Sequence, residues 1–300
     1  MAAGSHRYRK EFPVEYWLAW FHAGNEHTKA VAQAAERLGF AGVAVPDHVA
    51  IPRSYQSVHP SGRRILEYDT PYPDALIAIA SMAAVTTTLE FMTYVYVVPM
   101  RDPFSVAKQA ATVAMLSDYR FALGVGAGWH IEEIELMGYD PRSRGKRLDE
   151  MLSIIRGFWD EGVVEFRGAH YEFGPVGQFP VPERRVPIWV GGKSDVALKR
   201  AARHDGWLGM NYPLEEIQTL VAKLDGERQR HVDRHGDGGR PFRRYVLPEA
   251  IPSSDVYRKL EDWGFDGAVV MAWPTEDPAY QSLDAKLEAM ERFASEHIEG

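Results

Sequence analysis

Eight short apolar runs, each followed by a stretch of helical period, constrain this 300-residue chain more than any other feature. The runs are "VEYWLAW" (14–20), "GVAVPDH" (42–48), "LEFMTYVYVV" (89–98), "RFALGVG" (120–126), "PIWVGG" (187–192), "GWLGM" (206–210), "RRYVLPE" (243–249) and "DGAVVMAW" (266–273). The intervening segments change to a period of 3.6. After the first run, Ala30, Val31, Ala34, Ala35 and Leu38 share one helical face, and Gly39 ends it. "DPFSVAKQAATVAMLS" (102–117) carries Asp102 as a cap and Pro103 at the first position. Strict strand–helix alternation is the signature of an α/β fold with a parallel sheet. Eight repeats favour a closed (β/α)8 TIM barrel over an open doubly wound sheet. The alternation breaks once, after the fourth strand. Residues 162–187 read as an insertion: a hairpin turning at Arg167–Gly168, then a segment rich in Pro and Gly. The sequence thus predicts one barrel domain over 1–300, with a long irregular loop at 49–72.

In such barrels the chemistry gathers at the C-terminal ends of the strands. The fourth strand ends in Gly124, Gly126 and Gly128 at alternate positions. Two readings fit: bare backbone against which a flat or charged ligand lies, or room for packing at a barrel corner. The fifth strand ends in Gly191, Gly192, Lys193 and Ser194 before a helix, which reads either as an anion site to which Lys193 adds charge or as an ordinary glycine turn with a serine cap. Together they suggest a long ligand with a ring at one end and a phosphate at the other. The second strand ends in Asp47–His48. Imidazole titrates near neutral pH, so His48 is the candidate for proton transfer, with Asp47 as the carboxylate that fixes its tautomer. Adjacent strand residues point opposite ways, so the two need a bend to act together.

Composition excludes several classes. There are 34 basic and 42 acidic residues, a formal charge of −8, which argues against nucleic acid or an anionic membrane as partner. Cysteine is absent, so disulfides and thiolate metal sites are excluded. No apolar run reaches the roughly 20 residues of a membrane helix, and "MAAGSHRYRK" lacks the apolar core of a secretory signal. These features suit a cytoplasmic protein. A metal-dependent barrel hydrolase would want His-x-His on the first strand, where only His22 is present, so no metal is expected.

"VPDH", "MRDPFSVAKQAATVAMLS", "RFALGVGAGW", "RGKRLDEM" and "PIWVGGKSDVALKRAARHDGW" together resemble the bacterial luciferase-like monooxygenase superfamily, and most closely its branch that uses the deazaflavin coenzyme F420. The resemblance spans about 14–275 and implies the same barrel with an insertion after strand four. It implies that Asp47 and His48 lie beside the deazaflavin ring and that Tyr94–Val95 forms a non-proline cis bulge behind it. It implies that Gly126, Ala127 and Gly128 line the ring and its chain, next to Trp129, and that Gly191, Gly192 and Ser194 form the phosphate turn. The implied activity is hydride transfer between F420 and a small organic substrate, by a homodimer. FMN in the same place, with luciferase-like monooxygenase chemistry, is the alternative cofactor reading. A non-catalytic cofactor-binding protein is the other alternative. Sugar-oxidising members carry an acid where this chain has Trp129, and an indole cannot protonate a reduced cofactor.

Glu132 and Glu133, near Arg142, Arg144 and Arg147, read as structural ion pairs on helices. Tyr16, Trp17, Trp20 and Phe21 read mainly as core. Tyr55, His59, Arg63 and Arg64 sit in the loop expected to cover the substrate, and its basic residues hint at an anionic one.

Overall fold

A computed structural model of the chain describes residues 14–21, 24–62, 66–275 and 277–298. Its strands are β1 (Glu15–Ala19), β2 (Gly42–Val45), β3 (Glu90–Thr93, resumed at Tyr96–Val97), β4 (Phe121–Gly126), β5 (Ile188–Gly191), β6 (Gly206–Tyr212), β7 (Arg243–Pro248) and β8 (Gly267–Val270). Each pairs in parallel with its sequence neighbours, β1 pairs with β8, and β3 pairs with β4, so the ring closes without an edge. The expected barrel is therefore the observed one.

The helices are α1 (Thr28–Arg37), α2 (Ala75–Ala83), α3 (Pro103–Leu116), α4 (Ile131–Leu136), α5 (Arg144–Glu161), α6 (Asp195–Ala201), α7 (Leu214–His235), α8 (Ser254–Asp262) and α9 (Leu283–His297). Their starts follow capping chemistry. Asp102 accepts from Ser105 N with Pro103 in the first turn, and Ser194, Ser253 and Ser282 accept from the third amide of α6, α8 and α9. The insertion lies between β4 and β5 as expected. Its antiparallel hairpin pairs Val163–Arg167 with Glu172–Gly177. The turn is longer than the dipeptide expected, because the Glu150 carboxylate of α5 collects the amides of Ala169, His170 and Tyr171.

Side-chain size along the strands decides where the barrel is full. In its lower half Trp17, Trp189 and Tyr245 pack against one another with ring centroids 4.8–6.0 Å apart. Tyr94 spans the interior above them; its hydroxyl donates to Gly209 O and accepts from Leu247 N. Further up, the inward positions shrink to Ala19, Gly124, Gly126 and Gly191. With a filled base and small residues at its C-terminal rim, the barrel opens at that rim. A smaller cavity of about 340 Å³ lies at the opposite end, among Glu15, Arg120, Asp205 and Arg243.

Among the described residues no helix is long and apolar enough to cross a membrane.

Candidate active site

The rim opens into a cavity of about 610 Å³. Asp47, His48, Tyr94, Val95, Gly126, Ala127, Gly128, Trp129, Gly191, Gly192, Lys193 and Ser194 all lie on its wall, so strands far apart in sequence bring every predicted site residue to one place.

The glycines act first by packing. A Cβ on Gly126 would lie 2.6 Å from Val95 Cγ2, and one on Gly191 would lie 2.7 Å from Val95 Cγ1. A Cβ on Gly124 would lie 1.9 Å from the Thr93 carbonyl oxygen. The bare backbone of β4 and β5 thus receives the interrupted third strand, and Val95 is wedged between two glycines as an apolar shelf on the cavity floor. The Tyr94–Val95 peptide is cis, and the continuous strand expected over 89–98 is two short pieces on either side of it. Gly128 carries both constraints: a Cβ there would lie 2.7 Å from Val97 Cγ1, and its φ of 86° is the left-handed region that a side chain disfavours.

At the far side of the shelf, Ser194 Oγ accepts from Ala197 N at 3.2 Å, and Gly192 has φ 118°. Lys193 pairs with Glu216 at 2.9 Å. Arg144, expected to pair with Glu132 or Glu133, lines this cavity instead. Its Nε donates to Gly128 O at 3.2 Å and its Nη1 to Pro141 O at 2.7 Å, and among the described residues no carboxylate pairs with it. Arg142 pairs with Asp140 instead, and Arg147 donates to Pro99 O. None of the three arginines meets Glu132 or Glu133, so the expected ion pairs are not there.

Glu133 belongs to His48. His48 Nδ1 stands 2.8 Å from Glu133 Oε2, and the same carboxylate accepts from Val49 N and from Ala50 N, the latter at 3.1 Å. The Glu133 side chain is 1% exposed. Burial pushes its carboxyl up, but His48 and the two amides outweigh that and hold it below the usual carboxylate range. It sits in the first turn of α4, where a negative charge is favoured and where His130 Nδ1 caps its amide at 3.1 Å.

Asp47, expected to orient His48, faces elsewhere. Its carboxylate takes both Arg101 Nη groups, at 2.7 and 2.8 Å, and Val97 N at 2.9 Å. Asp47 and His48 each have their own partner on a different element, so Asp47 does not orient His48. Asp47 thus ties the end of β2 to the resumed third strand, two residues past Val95.

Above His48 the wall is aromatic. Tyr72 meets His48 edge-on at 4.8 Å, and Trp129 stands 6.1 Å from His48 and 5.2 Å from His59. Loop residues therefore do cover the cavity, through His59, Pro60 and Tyr72. Arg63 and Arg64 lie outside the described residues, as does His22. Phe21 lines the cavity, whereas Trp17 and Trp20 are fully buried in the core.

A sequence profile of luciferase-like monooxygenases matches residues 17–247. An uncharacterised protein of Mycobacterium tuberculosis is 34% identical over 275 residues, covering 89% of this chain and 93% of that protein. An F420-dependent glucose-6-phosphate dehydrogenase of Amycolatopsis mediterranei is 31% identical over 200 residues, 63% of this chain and 56% of the enzyme. Among solved structures, the coenzyme F420-dependent tetrahydromethanopterin reductase of Methanopyrus kandleri superposes with a TM-score of 0.69 at 15% identity, over 96% of this chain and 99% of the reductase. That likeness is one of fold. The profile covers most of the barrel, including β4 with its glycines and the turn after β5, and on that ground the chain belongs to the luciferase-like monooxygenase family.

Proposed function

We propose that the chain is an oxidoreductase passing a hydride between the deazaflavin coenzyme F420 and a small organic substrate. The observation that carries this is the buried Glu133 carboxylate on His48 Nδ1, 2.8 Å away, at the edge of a cavity floored by Val95. With Nδ1–H held by a carboxylate, His48 keeps the tautomer whose Nε2 takes a proton from substrate or returns one.

The residues present fit the coenzyme. A cavity of about 610 Å³ is within the usual span of small-molecule and cofactor sites. Val95, Ala127 and Gly128 offer an apolar shelf to a planar ring, and Ser194 with Lys193 and Arg144 offers donors and positive charge to an anionic tail. When bound, a deazaflavin supplies two-electron hydride chemistry that is slow with oxygen. The chain's own share is to seat the ring, exclude water with Trp129 and His59, and hold one proton at His48. The 31% identical F420-dependent relative supports this coenzyme over FMN.

The purified protein titrated separately with F420 and with FMN, each followed by its absorbance and fluorescence, tests this reading. A saturable change with F420 at concentrations where FMN gives none is expected. Saturation by FMN alone would overturn it in favour of flavin chemistry.

A further inference from the structure

Glu132, next to Glu133 and outside the proton-handling pair, does something separate. Its Oε1 accepts from Gln56 N at 2.6 Å and Ser57 N at 3.1 Å, and its Oε2 accepts from Ser57 Oγ at 2.6 Å. Ser57 Oγ in turn accepts from Ile131 N at 2.9 Å, so the loop and the first turn of α4 are stitched in both directions. The residues on either side of the stitched pair are those that reach the aromatic wall. Tyr55 lies on His130 with centroids 4.5 Å apart, and His59 meets Trp129 edge-on at 5.2 Å. Both are buried, whereas Val58 between them is 63% exposed, so little apolar packing holds the 56–58 backbone itself.

We propose that Glu132 is a positioning residue that clamps loop residues 56–57 onto α4, so that Tyr55 and His59 close the substrate side of the cavity against Trp129 and His130. Glu133 anchors the root of the same loop at Val49 and Ala50 while it orients His48. Two neighbouring carboxylates on one helical turn thereby divide the work: one serves the imidazole, the other the cover. The role of the cover as a substrate wall rests on the oxidoreductase reading, but the clamp does not.

Hydrogen exchange on the full chain without cofactor tests the clamp. Glu132→Gln is expected to speed exchange at Gln56, Ser57 and His59 by roughly tenfold or more, the loss of one to two charge-assisted bonds, with β4 and β5 amides unchanged. Ser57→Ala removes the Ser57 Oγ bonds but leaves the Gln56 and Ser57 amides on Glu132, so it should give the same pattern at smaller amplitude. The double variant should exceed Glu132→Gln by less than the sum of the two, because the Ser57 Oγ–Glu132 contact is shared. Acrylamide quenching of the Trp129 emission, taken as the difference from Trp129→Phe, should rise in Glu132→Gln. The F420 affinity should match that of the unaltered chain, since the shelf and the Ser194 turn are untouched. Unchanged exchange at 56–59, or exchange rising equally throughout the barrel, would overturn the clamp. Absence of F420 binding by the unaltered chain would instead count against the coenzyme and leave the exchange result standing.

Discussion

His48→Ala should lower turnover by about 10²- to 10⁴-fold with any substrate the unaltered chain turns over with F420, the usual contribution of a positioned general acid or base. Coenzyme affinity should change little, because the shelf at Val95 and the turn at Ser194 lie on other strands. Glu133→Gln should fall between the two. It keeps a hydrogen-bonding group within reach of His48 Nδ1 but removes the charge that stabilises the protonated imidazole. The check is steady-state kcat beside a binding titration for each variant. Equal turnover in His48→Ala would remove His48 from the chemistry, and a parallel loss of affinity would make it a binding residue.

Asp47→Ala should destabilise the fold by about 3–5 kcal/mol, the range for stranding one member of a buried ion pair. The Asp47 side chain is 1% exposed and Arg101 16%, so the guanidinium left behind has little water to turn to. The amide of Val97 loses its acceptor as well. Urea unfolding gives the number. Replacing both partners, as Asp47→Ala with Arg101→Met, should recover much of the loss because no charge is then left uncompensated. The same double variant should still bind coenzyme poorly if Asp47 serves the site by tethering the third strand just past Val95. Equal unfolding midpoints for Asp47→Ala and the unaltered chain would show that this tether carries no weight.

The sequence carried the fold in its periodicities, because a parallel barrel needs short, fully apolar strands between amphipathic helices and little else produces eight of them. It also carried the glycines of β4 and the serine cap after β5, since those positions tolerate few other residues. The partners were not legible. His48 and Glu133 are 85 residues apart, and Asp47 and Arg101 are 54 apart. One sequence gives no sign of which carboxylate meets which base across a ring of strands. Proximity in sequence misled twice: Asp47 looked like the partner of its neighbour His48, and Glu133 looked like the partner of nearby arginines. Arg101 lay in a quoted motif but nothing in it pointed to Asp47, and Glu132 had no local signature because its bonds go to amides of a loop without periodicity. The resemblance placed Tyr94–Val95 behind the ring, but the packing that holds Val95 showed only when Gly126 and Gly191, from two different strands, were seen to make room for the same side chain.

A structure of the chain with F420 bound measures the proposed arrangement most directly. The deazaflavin ring is expected to lie against Val95, with its phosphodiester tail beside Ser194 and Arg144 and with His48 Nε2 facing the hydride-bearing edge of the ring across the substrate space. A ring seated away from Val95, or a tail leaving the barrel on the His48 side, would contradict it.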